Sequence, residues 1–295
     1  MITSFRSKIQ VGYGKSHASF GELLQGRLPD GRDMLVTLPI DMWSVCNLTA
    51  IERMGPLVIN CDLSKSRQVA EMLLQKLGVN SGWEITISFS RNIPVGKGLS
   101  SSTADMLSTV RALQEIFGFL LREKTISEIF SRIEPHDGLM YKSCVVYDHR
   151  KGELIKELVY IPDFAIVAID LGGVVDTVDY NRELQFSEAT LAAYSVLLGE
   201  LERCFHAADD RGIARCATQS TRMHLAMRPD KRREKIFGSY ERIGAMGVLN
   251  THSGTCLGMI FPGKLEGAEL DELAGRLQSE FGHDVFVTNT LRLLV

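Results

Sequence analysis

No stretch of this sequence approaches the ~20 consecutive apolar residues that a membrane-crossing helix requires. The opening residues, Met1-Ile2-Thr3-Ser4-Phe5-Arg6-Ser7-Lys8, lack the apolar core of a secretory signal. The six cysteines (Cys46, Cys61, Cys144, Cys204, Cys216 and Cys256) include no C-x-x-C pair, so reduced thiols are expected in place of a disulfide framework or metal cluster. Basic charge is not in excess: 33 Lys and Arg face 36 Asp and Glu, for a net charge of −3. That removes the electrostatic case for nucleic acid or an anionic membrane as a partner. Neither an internal repeat nor a low-complexity tract is visible. These absences lead to the expectation of a cytoplasmic, soluble protein.

The 295 residues are 45% hydrophobic and 23% charged, enough for a sizeable core in two ordinary domains or one large one. Short apolar or alternating runs at 34–39, 43–51 and 83–89 predict strands, and 66–77 carries apolar residues at helical spacing with Gly78 as a stop. A helix is expected over 102–117, because Met106, Leu107, Val110, Leu113 and Phe117 fall on one face and Gly118 follows. Thr125-Ile126-Ser127-Glu128 has the form of a capping box, opening a helix that ends by Pro135. Strands return at 154–170. The last third then alternates helices (187–208, 213–227, 231–246) with short strands (248–250, 256–261, 285–288). A boundary near residue 160 divides the chain into 1–160 and 161–295, a mixed α+β architecture in two lobes. The run Lys231-Arg232-Arg233 is expected to be a solvated helix face.

The most informative segment is Ile93-Pro94-Val95-Gly96-Lys97-Gly98-Leu99-Ser100-Ser101-Ser102-Thr103-Ala104-Asp105-Met106. It joins a predicted strand to the start of a strong helix. Gly96 and Gly98 let the backbone adopt positive φ and approach a ligand closely. Unpaired N–H groups of the first helical turn, with the helix dipole, favour an anion there. Ser100, Ser101, Ser102 and Thr103 add hydroxyl donors and hard oxygens suited to magnesium, and Lys97 adds positive charge. The segment is neither a Walker A loop nor the dinucleotide G-x-G-x-x-G, since Ser101 stands where the third glycine would be. On spacing alone, a Gly/Ser turn capping an ordinary helix fits equally well.

Pro94-x-x-x-Gly98-Leu99-x-Ser101-Ser102-x-Ala104 resembles the ATP-binding motif of the GHMP kinases (galactokinase, homoserine kinase, mevalonate kinase, phosphomevalonate kinase), whose pattern is P-x-x-x-G-L-G-S-S-A. Ser100 replaces the glycine that follows the leucine in that pattern, and Thr103 replaces its alanine. The longer string is closer to one branch of the family, the L-threonine kinases of cobalamin biosynthesis and propanediol utilisation, which reads P-V-G-K-G-M-A-S-S-T-A-D. Four further segments resemble the same branch in order: Ala18-Ser19-Phe20-Gly21-Glu22-Leu23-Leu24-Gln25-Gly26, preceded by His17 where the branch has proline; Ile133-Glu134-Pro135-His136-Asp137, followed by Gly138; Ile169-Asp170-Leu171-Gly172-Gly173-Val174-Val175-Asp176-Thr177; and His252-Ser253-Gly254-Thr255.

The resemblance implies the GHMP kinase fold, with a ribosomal-protein-S5-like N-terminal lobe and a ferredoxin-like C-terminal lobe. It implies ATP and Mg2+ as cofactors. Pro94, Gly96, Lys97, Gly98, Leu99, Ser100, Ser101, Ser102, Thr103, Ser253 and Gly254 then fall to the nucleotide, with Ser102 and Glu134 as magnesium ligands. Asp137 lies beside the acceptor hydroxyl, as base or as orienting group, and Lys97 shares the catalytic role. Glu22, His136, Asp176 and Thr177 line the acceptor. For several of these residues a plain reading stays open: Glu22 as a solvated carboxylate in a turn, His136 as a loop histidine, Asp176 and Thr177 as caps of the next turn, His252 as structural. Lys15, a few residues before Gly21-Glu22, has a spacing about one residue off the family's lysine. The reaction expected is transfer of the terminal phosphoryl group of ATP to a small amino alcohol, L-threonine first, by a monomer or homodimer. Another small alcohol, a non-catalytic nucleotide-binding regulator, or a decarboxylase on the same fold are the alternatives.

Overall fold

Two glycines on the first strand determine how closely the central helix can pack. The computed structural model describes residues 8–173, 186–251, 254–265 and 267–291. Strand β1 (Ile9–Arg27) pairs antiparallel with β2 (Asp33–Pro56) along nearly its whole length, and helix α2 (Ser101–Phe117) lies across both. A Cβ on Gly14 would sit 1.8 Å from the Ser108 carbonyl oxygen, and one on Gly12 would sit 2.6 Å from Ile116. Only glycine lets the helix backbone approach the strand this closely. From α2, the Glu115 carboxylate accepts a hydrogen bond from the Tyr13 N–H, and Arg111 donates to the Lys15 carbonyl. Gly118, in the left-handed region at φ 66°, ends the helix.

β3 (Val58–Asn60) is the sheet's parallel pairing, against β4 (Ser81–Arg91), and α1 (Ser64–Lys76) packs beside α2. After α3 (Glu123–Phe130), β5 (Val145–Asp148) joins β2, and β6 (Glu153–Glu157) joins β5. The C-terminal half supplies β7 (Phe164–Asp170), α4 (Glu188–His206), α5 (Asp210–Met227), α6 (Lys231–Phe237), α7 (Tyr240–Ile243), β8 (Gly247–Asn250), β9 (Cys256–Pro262), α8 (Gly267–Phe281) and β10 (Asp284–Asn289). Among the described residues one sheet runs β10-β7-β9-β8-β1-β2-β4-β3 through both halves. The halves meet where Glu22 of β1 pairs with Asn250 of β8. One hydrophobic core also spans them, from Phe20 and Leu48 to Phe164, Leu201 and Ile260. A second, wholly C-terminal cluster lies under α8 around Val167, Leu257 and Leu277.

The expected strands 34–39 and 43–51 are one continuous strand, with Pro39 accommodated beside a register shift of the β1–β2 ladder. The expected capping box does not form. Helix α3 begins earlier, with Arg122 at its N-cap, and the Ser127 hydroxyl bonds the Gly152 carbonyl and Tyr147 hydroxyl. The helix expected over 231–246 is broken at Gly238 and Ser239 into α6 and α7. Among the described residues no helix is long and apolar enough to cross a membrane, and all six cysteines are free.

Gly14→Ala should therefore cost about 3 kcal/mol in urea-induced unfolding, through overpacking against α2. Gly275→Ala, at an exposed site on α8 with nothing within 4 Å of the added Cβ, should instead gain about 0.5–1 kcal/mol.

Candidate active site

The loop between β4 and α2 turns on three residues of positive φ: Gly96 at 72°, Gly98 at 78° and Ser100 at 58°. Gly98 faces a second constraint, since an added Cβ would lie 2.7 Å from Thr251 Cβ and 2.9 Å from Gly254 Cα. A Cβ on Gly254 would in turn fall 2.0 Å from the Lys97 carbonyl oxygen. Thr251 and Gly254 are thus pressed onto the loop, and the Thr255 N–H donates to Lys97 O at 3.3 Å. Leu99 is buried and anchors the loop in the core. The first intrahelical bond of α2 runs from Ala104 N–H to Ser100 O at 2.9 Å, and no side chain caps the helix. Its first turn carries no acidic residue. The N–H groups of Ser101, Ser102 and Thr103, with the dipole behind them, therefore form a ready anion site.

Beside this helix end lie three carboxylates. Glu134 accepts from the Ser102 hydroxyl and pairs with Lys65 of α1. Glu22, 7% exposed on β1, and Asp137 face each other closely enough to couple electrostatically. Burial, reinforced by the charges of Glu22 and Glu134, pushes the Asp137 carboxyl up to about 7, against a smaller opposing pull from a Ser100 hydrogen bond. The Asp137 N–H lies 3.5 Å from Thr103 Oγ1, and Ser100 Oγ also meets Ser19 Oγ of β1. Ser100 holds the left-handed conformation without a glycine's freedom, at a cost of about 1 kcal/mol.

Lys97 crosses to the C-terminal half. Its ammonium pairs with Asp170 at 2.7 Å and donates to the Gly173 carbonyl at 2.9 Å. Asp170 also accepts from the Thr255 hydroxyl at 2.5 Å and the Gly172 N–H at 3.0 Å. Burial alone would raise the Asp170 carboxyl, but these donors outweigh it and hold it below its ordinary value.

Pro94, Gly96, Gly98, Leu99, Ser100, Ser101, Ser102, Thr103 and Gly254 thus converge on the loop, with the carboxylates of Glu22, Glu134 and Asp137 beside it. His136 does not join them. Its ring is buried against Phe130 and Tyr147, with Nε2 3.2 Å from Ser131 Oγ and 3.3 Å from the Tyr147 hydroxyl. It is a core histidine, which corrects the expectation of a substrate contact. His17 is likewise buried, its ring on the Ala18 carbonyl and edge-on to Trp43, with burial holding its pKa down to about 4. Lys15 places its ammonium 3.7 Å over the Trp43 ring. Asp176, Thr177, His252 and Ser253 lie outside the described residues. A cavity of about 650 Å³ between α4, α5 and α7, lined by Leu197, Arg215, Met223 and Tyr240 among others, is built without any phosphate-loop residue.

Four residues of the site escape a reading of the sequence alone: Ser19, Lys65, Asp170 and Arg233. The first and third sit inside conspicuous segments but were masked by Glu22 and Asp176. Arg233 is a correction, since it is buried on α6 where a solvated face is expected. It donates to the Asn250 side chain and, at 2.6 Å, to the Gly254 carbonyl. It therefore holds the turn that clamps the phosphate loop.

Residues 64–143 match the family described as GHMP kinases N terminal domain. The fold is that of solved GHMP kinases, and the relatives of the chain are small-molecule kinases of that family. Among its relatives, an L-threonine kinase of Salmonella typhimurium is 28% identical over 90% of this chain and 88% of its own length. A homoserine kinase structure from Cytophaga hutchinsonii superposes with a TM-score of 0.71 at 16% identity, covering 98% of this chain and 97% of that one. A structure described as MDDEF in complex with MVAPP, AMPPCP and magnesium has a TM-score of 0.64 at 14% identity, covering 95% of this chain and 97% of that one.

Arg233→Ala should lower unfolding stability by about 3 kcal/mol, because the carbonyl and amide it serves stay buried. It should also weaken AMPPCP binding, read by calorimetry, by about tenfold as Gly254 loses its hold against the loop.

Proposed function

We propose that this chain transfers the γ-phosphoryl group of ATP to the hydroxyl of a small amino alcohol, with L-threonine the favoured acceptor and O-phospho-L-threonine the product. The observation that carries the proposal is the half-buried Asp137 carboxyl, coupled to the buried Glu22 and beside Thr103 in the first turn of α2. In this reading the N–H groups of 101–103 bind the nucleotide's phosphates. The acceptor hydroxyl lies between them and Asp137, which orients it and takes its proton as the oxygen attacks phosphorus. With its ordinary range shifted to about 7, Asp137 is matched to a proton transfer near neutral pH.

Ser102 and Glu134, hydrogen-bonded to each other beside the phosphate site, are two hard oxygens of the kind that hold magnesium when phosphates and water complete its shell. Bound there, magnesium supplies charge neutralisation on the phosphoryl oxygens. Among the described residues no trio of His, Cys, Asp or Glu side chains forms a separate metal cluster, in keeping with an ion held mainly by its nucleotide.

Acceptor selection follows from charge. Two neighbouring carboxylates in low dielectric favour an ammonium group, so Glu22 is assigned to the amine of the acceptor. The relatedness to an L-threonine kinase at 28% identity supports the same acceptor; a different small alcohol is the alternative.

Purified protein with magnesium and ATP should form O-phosphothreonine from L-threonine in a mass-spectrometric screen that also offers D-threonine, L-serine, L-homoserine and simple amino alcohols. Turnover on another acceptor alone would displace threonine but keep the kinase. Asp137→Asn should keep ATP binding and lose roughly 10²–10⁴-fold in kcat; unchanged turnover would remove Asp137 from the mechanism. The same variant reports on stability. Because the folded pKa of about 7 lies above the ordinary 3.8, the wild-type carboxyl favours folding below about pH 3.8 and loses that contribution as pH rises to 7. Asp137→Asn should thus be more stable than wild type above pH 7, and the gap should close below pH 4.

A further inference from the structure

A phosphate site gains from a nearby cation, yet the loop's own lysine is committed elsewhere. The Lys97 ammonium is held by the Asp170 carboxylate and the Gly173 carbonyl of the C-terminal half. A different ammonium stands at the end of α2. Lys65, the second residue of α1, donates to Oε2 of Glu134, while Oε1 of the same carboxylate accepts from the Ser102 hydroxyl. Glu134 therefore links the first turns of two helices that pack together. Neither turn has a side-chain cap or an acidic residue of its own.

Three properties make Lys65 a cation that can move. Its side chain is 45% exposed against 18% for Glu134, so the ammonium reaches the carboxylate from the solvent side. A lysine is a compact point charge on a flexible stem of four carbons. An ion pair this exposed adds little to stability, so releasing it costs little. Glu134 is also the carboxylate assigned above to magnesium, and a divalent ion on it would repel the ammonium already there. Phosphates seated on the 101–103 N–H groups offer that ammonium a new partner, since they would lie beside Ser102, which Glu134 already touches.

We infer that Lys65 is an exchangeable cation of the nucleotide site: it neutralises Glu134 in the free protein and turns to the phosphate oxygens of the nucleotide when Glu134 binds magnesium. The inference rests on the kinase reading above and deepens it. It gives a residue of α1 the phosphate contact that the loop's lysine, turned to Asp170, does not supply.

The test is calorimetry of AMPPCP with magnesium on wild type, Lys65→Met and Lys65→Arg, each as the full chain and without an acceptor. Lys65→Met should weaken binding about tenfold through loss of one charged phosphate contact, and Lys65→Arg should recover most of that loss. A pair fixed on Glu134 predicts the opposite, because removing the lysine leaves the carboxylate uncontested for magnesium. Binding that is unchanged or tighter in Lys65→Met would therefore overturn the inference. Lys65→Met should melt within about 2 °C of wild type, which separates lost binding from lost fold. A second readout follows the amine itself. After reductive methylation with a carbon-13 label, the Lys65 resonance, identified by its absence in Lys65→Arg, should shift when AMPPCP and magnesium are added together. A resonance that stays in place would also overturn the exchange. Wild-type protein that binds no AMPPCP would overturn the kinase reading together with this one, whereas equal binding by wild type and Lys65→Met would overturn this one alone.

Discussion

The contact on which the rest of this structure depends is between two backbones, at Gly98 and Gly254. Neither position has room for a Cβ, because each would strike the other loop. This bare approach brings segments about 156 positions apart in sequence into one wall. Thr255 can then bond the Lys97 carbonyl, Lys97 can reach Asp170, and Arg233 can hold the Gly254 carbonyl from behind. Hydrogen bonds of this kind are each worth little more than 1 kcal/mol net, so no single one secures the loop. Their geometry is available only because the glycines remove the steric barrier first.

The same logic explains why the phosphate loop can stay open at its functional end. A helix N-terminus is stabilised by capping, yet α2 is uncapped, and in its first turn the Ser102 hydroxyl is turned outward to Glu134 while Thr103 meets the Asp137 N–H. Stability is supplied elsewhere in the helix, by close packing on Gly12 and Gly14 and by the Ser44 and Arg91 bonds to the buried Asp105 carboxylate. The helix is held along its body, which leaves its end free to bind an anion.

The loop and the carboxylates beside it were legible in the sequence because a tight strand-to-helix turn requires particular small residues at fixed spacing. Ser102 and Glu134, which the resemblance pairs, are hydrogen-bonded, and Asp137 lies against Thr103 of the same helical turn. Helix α2 was readable within one residue from its apolar face and Gly118. Strand β1 was harder, since its inner half buries Ser16, His17, Ser19, Glu22 and Gln25 among apolar residues and so breaks the alternation that marks a strand. The errors at His136 and Arg233 share a cause. Each looks polar and local in sequence, but its environment is built by distant elements: α3 and β5 around the histidine, Asn250 and Gly254 around the arginine. Burial of a charged or polar side chain is decided by where its partners fall, and that information is not local.

Strand β1 also has a consequence for how the molecule behaves in a crowded solution. Its outer stretch pairs with β2 on one side only and shows Ile9, Val11 and Tyr13 to solvent, 62%, 51% and 60% exposed. Such an edge would ordinarily be a template on which another chain could add a strand. Glu115 and Arg111 already occupy the Tyr13 N–H and Lys15 carbonyl that an incoming strand would need. The central helix that builds the binding site therefore also works as a guard, denying foreign backbones a place to register and keeping colloidal association in check without burying the edge.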